Sequence, residues 1–194
     1  ADPWQPTKFL PTSSTNYPKQ GSDSYTPNRA AAGALEASTS HFAALPNANE
    51  MAWYVMKGDP RYDADELWST MGYLYKGGTW FKKRAYITGF SDSHQPDDAS
   101  TDLRNTYKRL SKAVLKTLPA TTEMDQYFYL PLLGYYSTTS NNYKFNAAGV
   151  TGYYWSSSAV PTNQTGSYAL QINNQTATLQ ELAPSSGMIV RPFE

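Results

Sequence analysis

The sequence predicts an α+β domain in which two or three helices come first and a short-stranded antiparallel sheet follows. Two observations carry that expectation. Between Asn47 and Leu118 apolar residues recur at three- and four-residue steps, the spacing of one helix face. After Pro119 the pattern shortens to alternation, the period of a strand. Helical and strand stretches kept apart along the chain imply segregated layers.

The elements follow in order. Residues 1–28 hold Pro3, Pro6, Pro11, Pro18 and Pro27 among Ser, Thr and Asn, without an apolar period, and read as an extended lead-in or linker. Residues 29–194 then read as a single domain. Ala30 to Leu45 is Ala-rich and could form a short helix that Gly33 and Ser38-Thr39-Ser40 weaken and Pro46 ends. Asn47 or Asn49 can cap a helix through Met51, Tyr54 and Val55, stopped at Gly58-Asp59-Pro60. Asp63 and Glu66 resemble a capping box, and Leu67, Met71, Leu74 and Tyr75 would form the apolar stripe of a second helix ending at Lys76-Gly77-Gly78. Thr79 to Ile87 reads as a strand. A polar loop from Ser91 to Asp98 leads to a third helix, capped by Ser100 or Thr101, with Leu103, Tyr107, Leu110, Val114 and Leu118 on one face.

The strand half begins at Gln126–Tyr135, and Thr138 to Asn142 reads as a turn. Gly152 to Ser158 and Ser167 to Ile172 alternate as strands, Asn173-Asn174 turns the chain into Thr176–Leu182, and Gly187 to Pro192 closes the sheet.

Composition removes whole classes of function. Of 194 residues 40% are hydrophobic and only 16% charged, below the usual quarter or so. Polarity rests instead on Ser, Thr, Asn and 16 tyrosines, which suits hydrogen bonding and stacking. Net charge is zero, so no basic field exists to hold a phosphate backbone, and nucleic-acid binding is not expected. Cys is absent, which excludes disulfides, thiolate nucleophiles and Cys-ligated zinc. No apolar run reaches the roughly eighteen residues of a membrane span, so no direct membrane insertion is expected. The start at Ala1-Asp2-Pro3 without Met predicts either a precursor or larger protein upstream, or a vector-derived scar.

A set of ordered motifs then suggests a family. Phe128-Tyr129-Leu130-Pro131 with Gly134-Tyr135 is followed by Gly152-Tyr153-Tyr154-Trp155-Ser156-Ser157, Tyr168-Ala169-Leu170, and Gly187-Met188-Ile189-Val190-Arg191. This order resembles the C-terminal signature of the Fibrobacter-type major paralogous domain, a surface domain of Bacteroides-like bacteria. The upstream half lacks the Cys-Pro-x-Gly-Trp-Arg-Leu-Pro segment of the commonest members and looks more like variants on fimbrial or lipid-anchored proteins. The resemblance implies a C-type-lectin-like core. It also implies an exported, extracellular, cell-surface module of adhesin type that binds a glycan or protein on a host or bacterial surface without catalysis. Other pilus subunits are further partners it implies, and a structural pilus subunit or assembly module is the rival reading. A third reading is a diversified lectin-fold receptor of the kind retroelements produce.

Catalysis and metal binding find little support in the residues. Formylglycine-generating enzymes resemble the same lectin-like fold, but their chemistry needs cysteines that this chain lacks. A Ser-His-Asp hydrolase would need His41 or His94, and neither accompanies a Gly-x-Ser-x-Gly elbow. Asp92, Asp97, Asp98 and Asp102 could ligate calcium, but they lack an alternating loop register and equally complement the dipole of the helix expected after them. Asp59, Asp63, Asp65 and Glu66 read as turn and cap residues rather than a glycosidase pair. Arg191 is expected to fix the end of the closing strand. No cofactor and no metal are expected.

What remains is an aromatic and amide-rich surface. Alternation is expected to turn Tyr153 and Trp155 toward the core and to leave Tyr154 and Ser156 outward. With Tyr136, Asn141, Asn142 and Tyr143 of the neighbouring loop they form the expected ligand-contacting set, carried by loops around 137–148 and 159–166.

Overall fold

One reciprocal cap sets the only α-helix among the described residues. The structure, a computed structural model, describes residues 44–137, 144–161, 166–182 and 187–189. Helix α1 (Ala48–Lys57) starts where the Asn47 side chain accepts a hydrogen bond from the Glu50 amide at 3.0 Å. The Glu50 carboxylate in turn accepts from the Asn47 amide at 2.8 Å, completing the capping box. The helix ends at Gly58, whose amide donates to the Tyr54 carbonyl at 3.0 Å. A Cβ there would lie 2.3 Å from that carbonyl oxygen, so only glycine closes the turn this tightly. Ala48, Met51, Ala52, Tyr54 and Val55 are all buried, which leaves the helix a central rather than a surface element.

The described residues also form three antiparallel sheets. Strands β1 (Arg61–Thr70), β2 (Tyr73–Lys82) and β4 (Tyr127–Pro131) form one sheet in the order β1-β2-β4. Strands β3 (Leu110–Ala113), β9 (Thr176–Leu182), β8 (Ser167–Asn173) and β7 (Thr151–Ala159) form the second, in the order β3-β9-β8-β7. Strands β5 (Tyr135–Ser137) and β6 (Lys144–Asn146) make a two-stranded ribbon. Helix α1 packs on the four-stranded sheet, while its Tyr54 ring meets Phe128 of the three-stranded sheet edge-on at 5.3 Å. The shared core joins Met51, Tyr54, Phe81, Leu130, Leu170, Ile172 and Leu179.

The two larger sheets are stitched together at both ends. At one end Tyr62 donates its amide to Leu115 at 2.8 Å and Leu115 donates to Pro60 at 2.9 Å. At the other, the Tyr154 hydroxyl donates to the Pro131 carbonyl at 2.6 Å, and Gly134 bridges Gly152 in parallel. Gly152 is required there, because a Cβ would fall 2.9 Å from both Pro131 O and the Ile172 side chain.

This architecture overturns the expected α+β class with two or three helices. The described chain is mostly β-sheet with one helix. The segment 63–76 is a hairpin, not a helix. Met71 (φ 51°) and Gly72 (φ 80°) form a two-residue turn with both residues left-handed, the turn type whose twist matches paired strands. The capping signal has a different use: Asp63 Oδ1 accepts from the amides of Asp65 and Glu66, at 3.0 and 3.1 Å, and thereby stabilises a bulge in β1. Its other oxygen accepts from the Trp80 indole at 3.1 Å. The expected apolar stripe therefore splits. Leu67 and Leu74 stay 60% and 69% exposed, whereas Tyr75 stacks on Trp68 across the hairpin at 4.8 Å.

The expected third helix is also absent, and distant side chains explain why. The Leu103 amide donates to the Asn49 side chain at 2.9 Å, and the Leu103 carbonyl accepts from the Tyr168 hydroxyl at 3.0 Å. Tyr168 also receives the Lys108 amide at 3.2 Å. Backbone groups that a helix would have paired internally are satisfied from α1 and β8 instead. Leu103, Leu110 and Val114 are buried without the helix that was expected to bury them, whereas Tyr107 is half-buried and Leu118 is exposed. The strand from Thr79 to Ile87 ends early, at Lys82, in a short 3-10 turn over Arg84–Tyr86.

Helix α1, strand β7 and the β8–β9 hairpin match the sequence reading, whereas the strand expected over Gln126–Tyr135 is broken into β4 and β5 by the turn at Gly134 (φ 68°). Asn173 serves that hairpin by accepting the amides of Gln175 and Thr176 at 2.8 and 2.9 Å. In place of the strand expected to close the sheet over Gly187 to Pro192, the described part of that segment makes an isolated parallel bridge to β7 between Tyr154 and Ile189, and residues 190–192 lie outside the described residues. The lead-in, the Ala-rich stretch up to Ala43 and the expected turn at 138–142 lie outside the described residues. No helix among the described residues is long and apolar enough to cross a membrane.

Asn49 is fully buried and spends its amide on three partners: Asp92 O at 3.1 Å, Asp102 Oδ1 at 2.8 Å and the Leu103 amide. Asn49→Ala removes all three bonds and leaves the buried Leu103 amide without its acceptor, while Asp92 O keeps Asn47 and Asp102 keeps Arg104, and it is expected to cost about 3 kcal/mol in urea unfolding. Asp102 supplies a pH dependence. Burial alone would raise its carboxyl, but hydrogen bonds from Arg104 and Asn49 outweigh it and hold the group below the usual carboxylate range. Such a group stabilises the fold above its unfolded value of about 3.9 and loses that contribution as pH falls through the lower folded value. Arg104→Ala is therefore expected to be less stable at neutral pH, and to lose less stability than the parent between about pH 5 and pH 2. Parallel stability curves for the two proteins would contradict this.

Candidate functional site

The β5–β6 ribbon and the closing segment build an apolar groove that brings together an expected contact residue and several unexpected ones. The ribbon pairs Tyr135 with Asn146, Tyr136 with Phe145 and Ser137 with Lys144. Ahead of it, Gly134 adopts φ +68°, and a Cβ there would lie 2.2 Å from Asn146 O and 2.7 Å from the Ala148 amide. The chain after β6 thus crosses directly over Gly134, with Ala147 (φ 62°) and Gly149 (φ 75°) turning it back toward β7.

The closing segment ties this ribbon to the four-stranded sheet. Tyr136 and Gly187 exchange two backbone hydrogen bonds, at 2.8 and 3.0 Å. Two residues later, Ile189 accepts from the Trp155 amide at 3.0 Å and donates to Tyr153 at 3.3 Å. Between them Met188 packs against the small buried cluster of Leu45, Trp155 and Ala169.

Where the tip of the β1–β2 hairpin approaches this platform, a groove of about 390 Å³ opens. Thr70 and Met71 of the hairpin form one wall, Tyr136 and Phe145 of the ribbon another, and Leu133 with Gly187–Ile189 complete the lining. The Tyr136 hydroxyl donates to the Met71 sulfur at 3.1 Å, and its ring tilts against Phe145 at 5.2 Å. No charged side chain is among the described residues of the lining. Such a surface buries apolar groups and offers few hydrogen bonds to a polyhydroxylated ligand.

Of the expected contact residues that are among the described residues, only Tyr136 lies in the groove. Asn141, Asn142 and Tyr143 fall outside the described residues. Tyr154 and Ser156 correct the sequence reading, because both are interior. Tyr154 is 1% exposed, with its hydroxyl on Pro131, and Ser156 is fully buried, with its Oγ donating to Tyr168 O at 3.0 Å. Alternation failed here because β7 is covered on both faces, by the main core on one and the Leu45–Trp155–Met188 cluster on the other. Met71, Phe145 and Met188 went unrecognised as site residues. The Met71-Gly72 pair, a turn signal inside an apolar alternation, was the clue that could have located the hairpin tip.

The residues weighed for chemistry have other partners. His94 Nδ1 lies 3.0 Å from the Gln95 carbonyl and its ring meets the edge of Trp53, with no hydroxyl or carboxylate on it among the described residues. His41 and Arg191 lie outside the described residues. The acidic loop is dispersed. Asp97 pairs with Lys57 at 2.9 Å, and Asp102 clamps Arg104 at 2.7 Å. Asp98 accepts from the hydroxyls of Ser100 and Thr101, which draw its carboxyl down to about 2. These acids precede no helix, which corrects the dipole reading, and no group of three or more potential ligands converges on a metal position among the described residues. Asp59 accepts from the Tyr127 hydroxyl at 2.6 Å and from Arg61 at 2.8 Å, and burial pushes the Tyr127 phenol up to about 12. A more open depression near Arg84, Phe90 and Asp92 is polar, but Arg84 is engaged by Glu50 and stacks on Phe90 at 5.0 Å.

Residues 118–193 match the model of a domain of unknown function (DUF8237), a span that contains β4–β9 and most of the groove. Neither the curated proteins nor the solved structures contain a match to the chain.

Gly134→Ala would force a Cβ into backbone and strain a left-handed residue, and is expected to cost about 3 kcal/mol in urea unfolding. Tyr154→Phe, by contrast, leaves the shape intact and strips one hydrogen bond from the Pro131 carbonyl. It is expected to cost about 1 kcal/mol and to leave ligand binding unchanged.

Proposed function

We propose that this domain is a non-catalytic, exported, cell-surface binding module of adhesin type, in keeping with its resemblance to Fibrobacter-type surface domains, and that its ligand is a protein rather than a glycan. The observation that carries this reading is the groove itself: two aromatic rings and two thioethers, with no charge among the described lining. Polarisable methionine and rigid aromatic surfaces accommodate apolar side chains of varied shape. Sugar recognition would call for convergent carboxylates or amides beside an aromatic face, and the described lining provides neither. Display at or near a fimbrial tip is the setting the resemblance implies.

Selection of peptides from a random display library on the purified domain tests this. Bound peptides are expected to be apolar, and Tyr136→Ala or Phe145→Ala is expected to weaken them about tenfold or more with the melting temperature little changed. A glycan array bound through Tyr136, with no peptide selected, would sink the reading.

The rival reading, a pilus subunit or assembly module, draws support from Leu67, Tyr73 and Leu74, each at least 60% exposed on the β1–β2 hairpin. Under that reading sedimentation shows concentration-dependent association that Leu67→Lys with Leu74→Lys abolishes. A monomer at all concentrations removes it.

A further inference from the structure

We propose that the groove is occupied by this chain's own proline-rich lead-in, residues 3–11, which dock as an extended segment through Trp4, Phe9 and Leu10. The inference rests on the groove being a site for protein segments, and it names one such segment.

The first argument is where residues 1–43 join the fold. The first buried position among the described residues is Leu45, which is 3% exposed and packs in a cluster with Trp155 and Ala169. Pro46 is fixed there by accepting the Ser157 amide at 3.0 Å. Met188 packs against that same cluster and also lines the groove. The lead-in is therefore tethered at the groove's rim. Tethering turns docking into an intramolecular event, with an effective concentration on the order of millimolar for a short linker and less for a longer one. Residues 12–44 reach easily, since an extended chain covers about 3.3 Å per residue.

The second argument is chemical. Pro3-Trp4-Gln5-Pro6 and Phe9-Leu10-Pro11 place three large apolar side chains between prolines. Proline presets φ, so such a segment loses little conformational freedom on docking, and aromatic-lined grooves are the usual hosts of proline-rich segments. Tyr136 and Phe145 supply the aromatic wall, while Met71 and Met188 offer sulfur to an incoming indole. Lys8 is the only charged residue from Pro3 to Pro11, so little charge has to be desolvated against an uncharged lining.

Photo-crosslinking in the full-length chain tests the docking. With Tyr136 replaced by p-benzoylphenylalanine, irradiation is expected to join position 136 to the peptides covering residues 1–19. A mixture of isotopically light and heavy chains is expected to show those links within one molecule. Links confined to other regions, or formed only between molecules, would overturn the proposal. A second readout is the full chain carrying Trp4→Ala, Phe9→Ala and Leu10→Ala, in which binding of a hydrophobic dye is expected to rise severalfold and to fall again when Tyr136→Ala is added. Unchanged dye binding in the triple variant also overturns it. A synthetic peptide of residues 1–12 and an unrelated apolar peptide, each offered to the triple variant, separate this proposal from the reading beneath it. Binding of the unrelated peptide alone removes the lead-in as occupant and keeps the groove as a peptide site. Binding of neither removes both.

Discussion

Burial of β7 on both of its faces is the constraint on which the rest of the structure depends. A strand covered on both sides has to satisfy every polar group it carries without water. The serines of β7 do this by reaching out to other elements. Ser158 accepts the amide of Ala48 at 2.9 Å and so holds the start of α1, and Ser157 donates its amide to Pro46. Ser156 spans to Tyr168 of β8. On the other side, Tyr154 anchors Pro131 of the three-stranded sheet, and the backbone around Trp155 takes Ile189. One strand thus positions the helix, the second sheet and the floor of the groove.

Sequence reasoning succeeded where a local signal coincided with a local partner. The cap at Asn47 and Glu50 closes within one turn, and Asn173 completes its own hairpin, so neither needs the rest of the chain to be legible. It failed at 63–76 and 101–118 because the same residue types serve two purposes. Asp63 with Glu66 three residues on satisfies amides equally well at a helix start or at a bulge, and the left-handed pair Met71-Gly72 decides for the bulge and hairpin. Leu103 to Leu118 has a helical period, yet Asn49 and Tyr168, distant in sequence, capture the backbone of Leu103 first. Tertiary hydrogen bonds of that kind leave no trace in a period.

The site shows the same division. Tyr136, one of the expected contact residues, lines the groove. Tyr154 and Ser156 were misplaced by assuming that every strand has a wet face. The thioethers of Met71 and Met188 come from segments far apart in sequence, one on a hairpin tip and the other in the closing segment, and share one groove only in the folded chain.

Those two bonds are made by main chain alone, which separates the spacing of the cleft from its chemistry. Peptide groups hold Tyr136 against Gly187 whatever side chain either neighbour carries. The spacing of the ribbon from the closing segment is therefore independent of the side chain at 145. Exchange of that side chain would alter the surface the cleft presents while its main-chain spacing stayed the same, as interchangeable jaws do in a vice of set width.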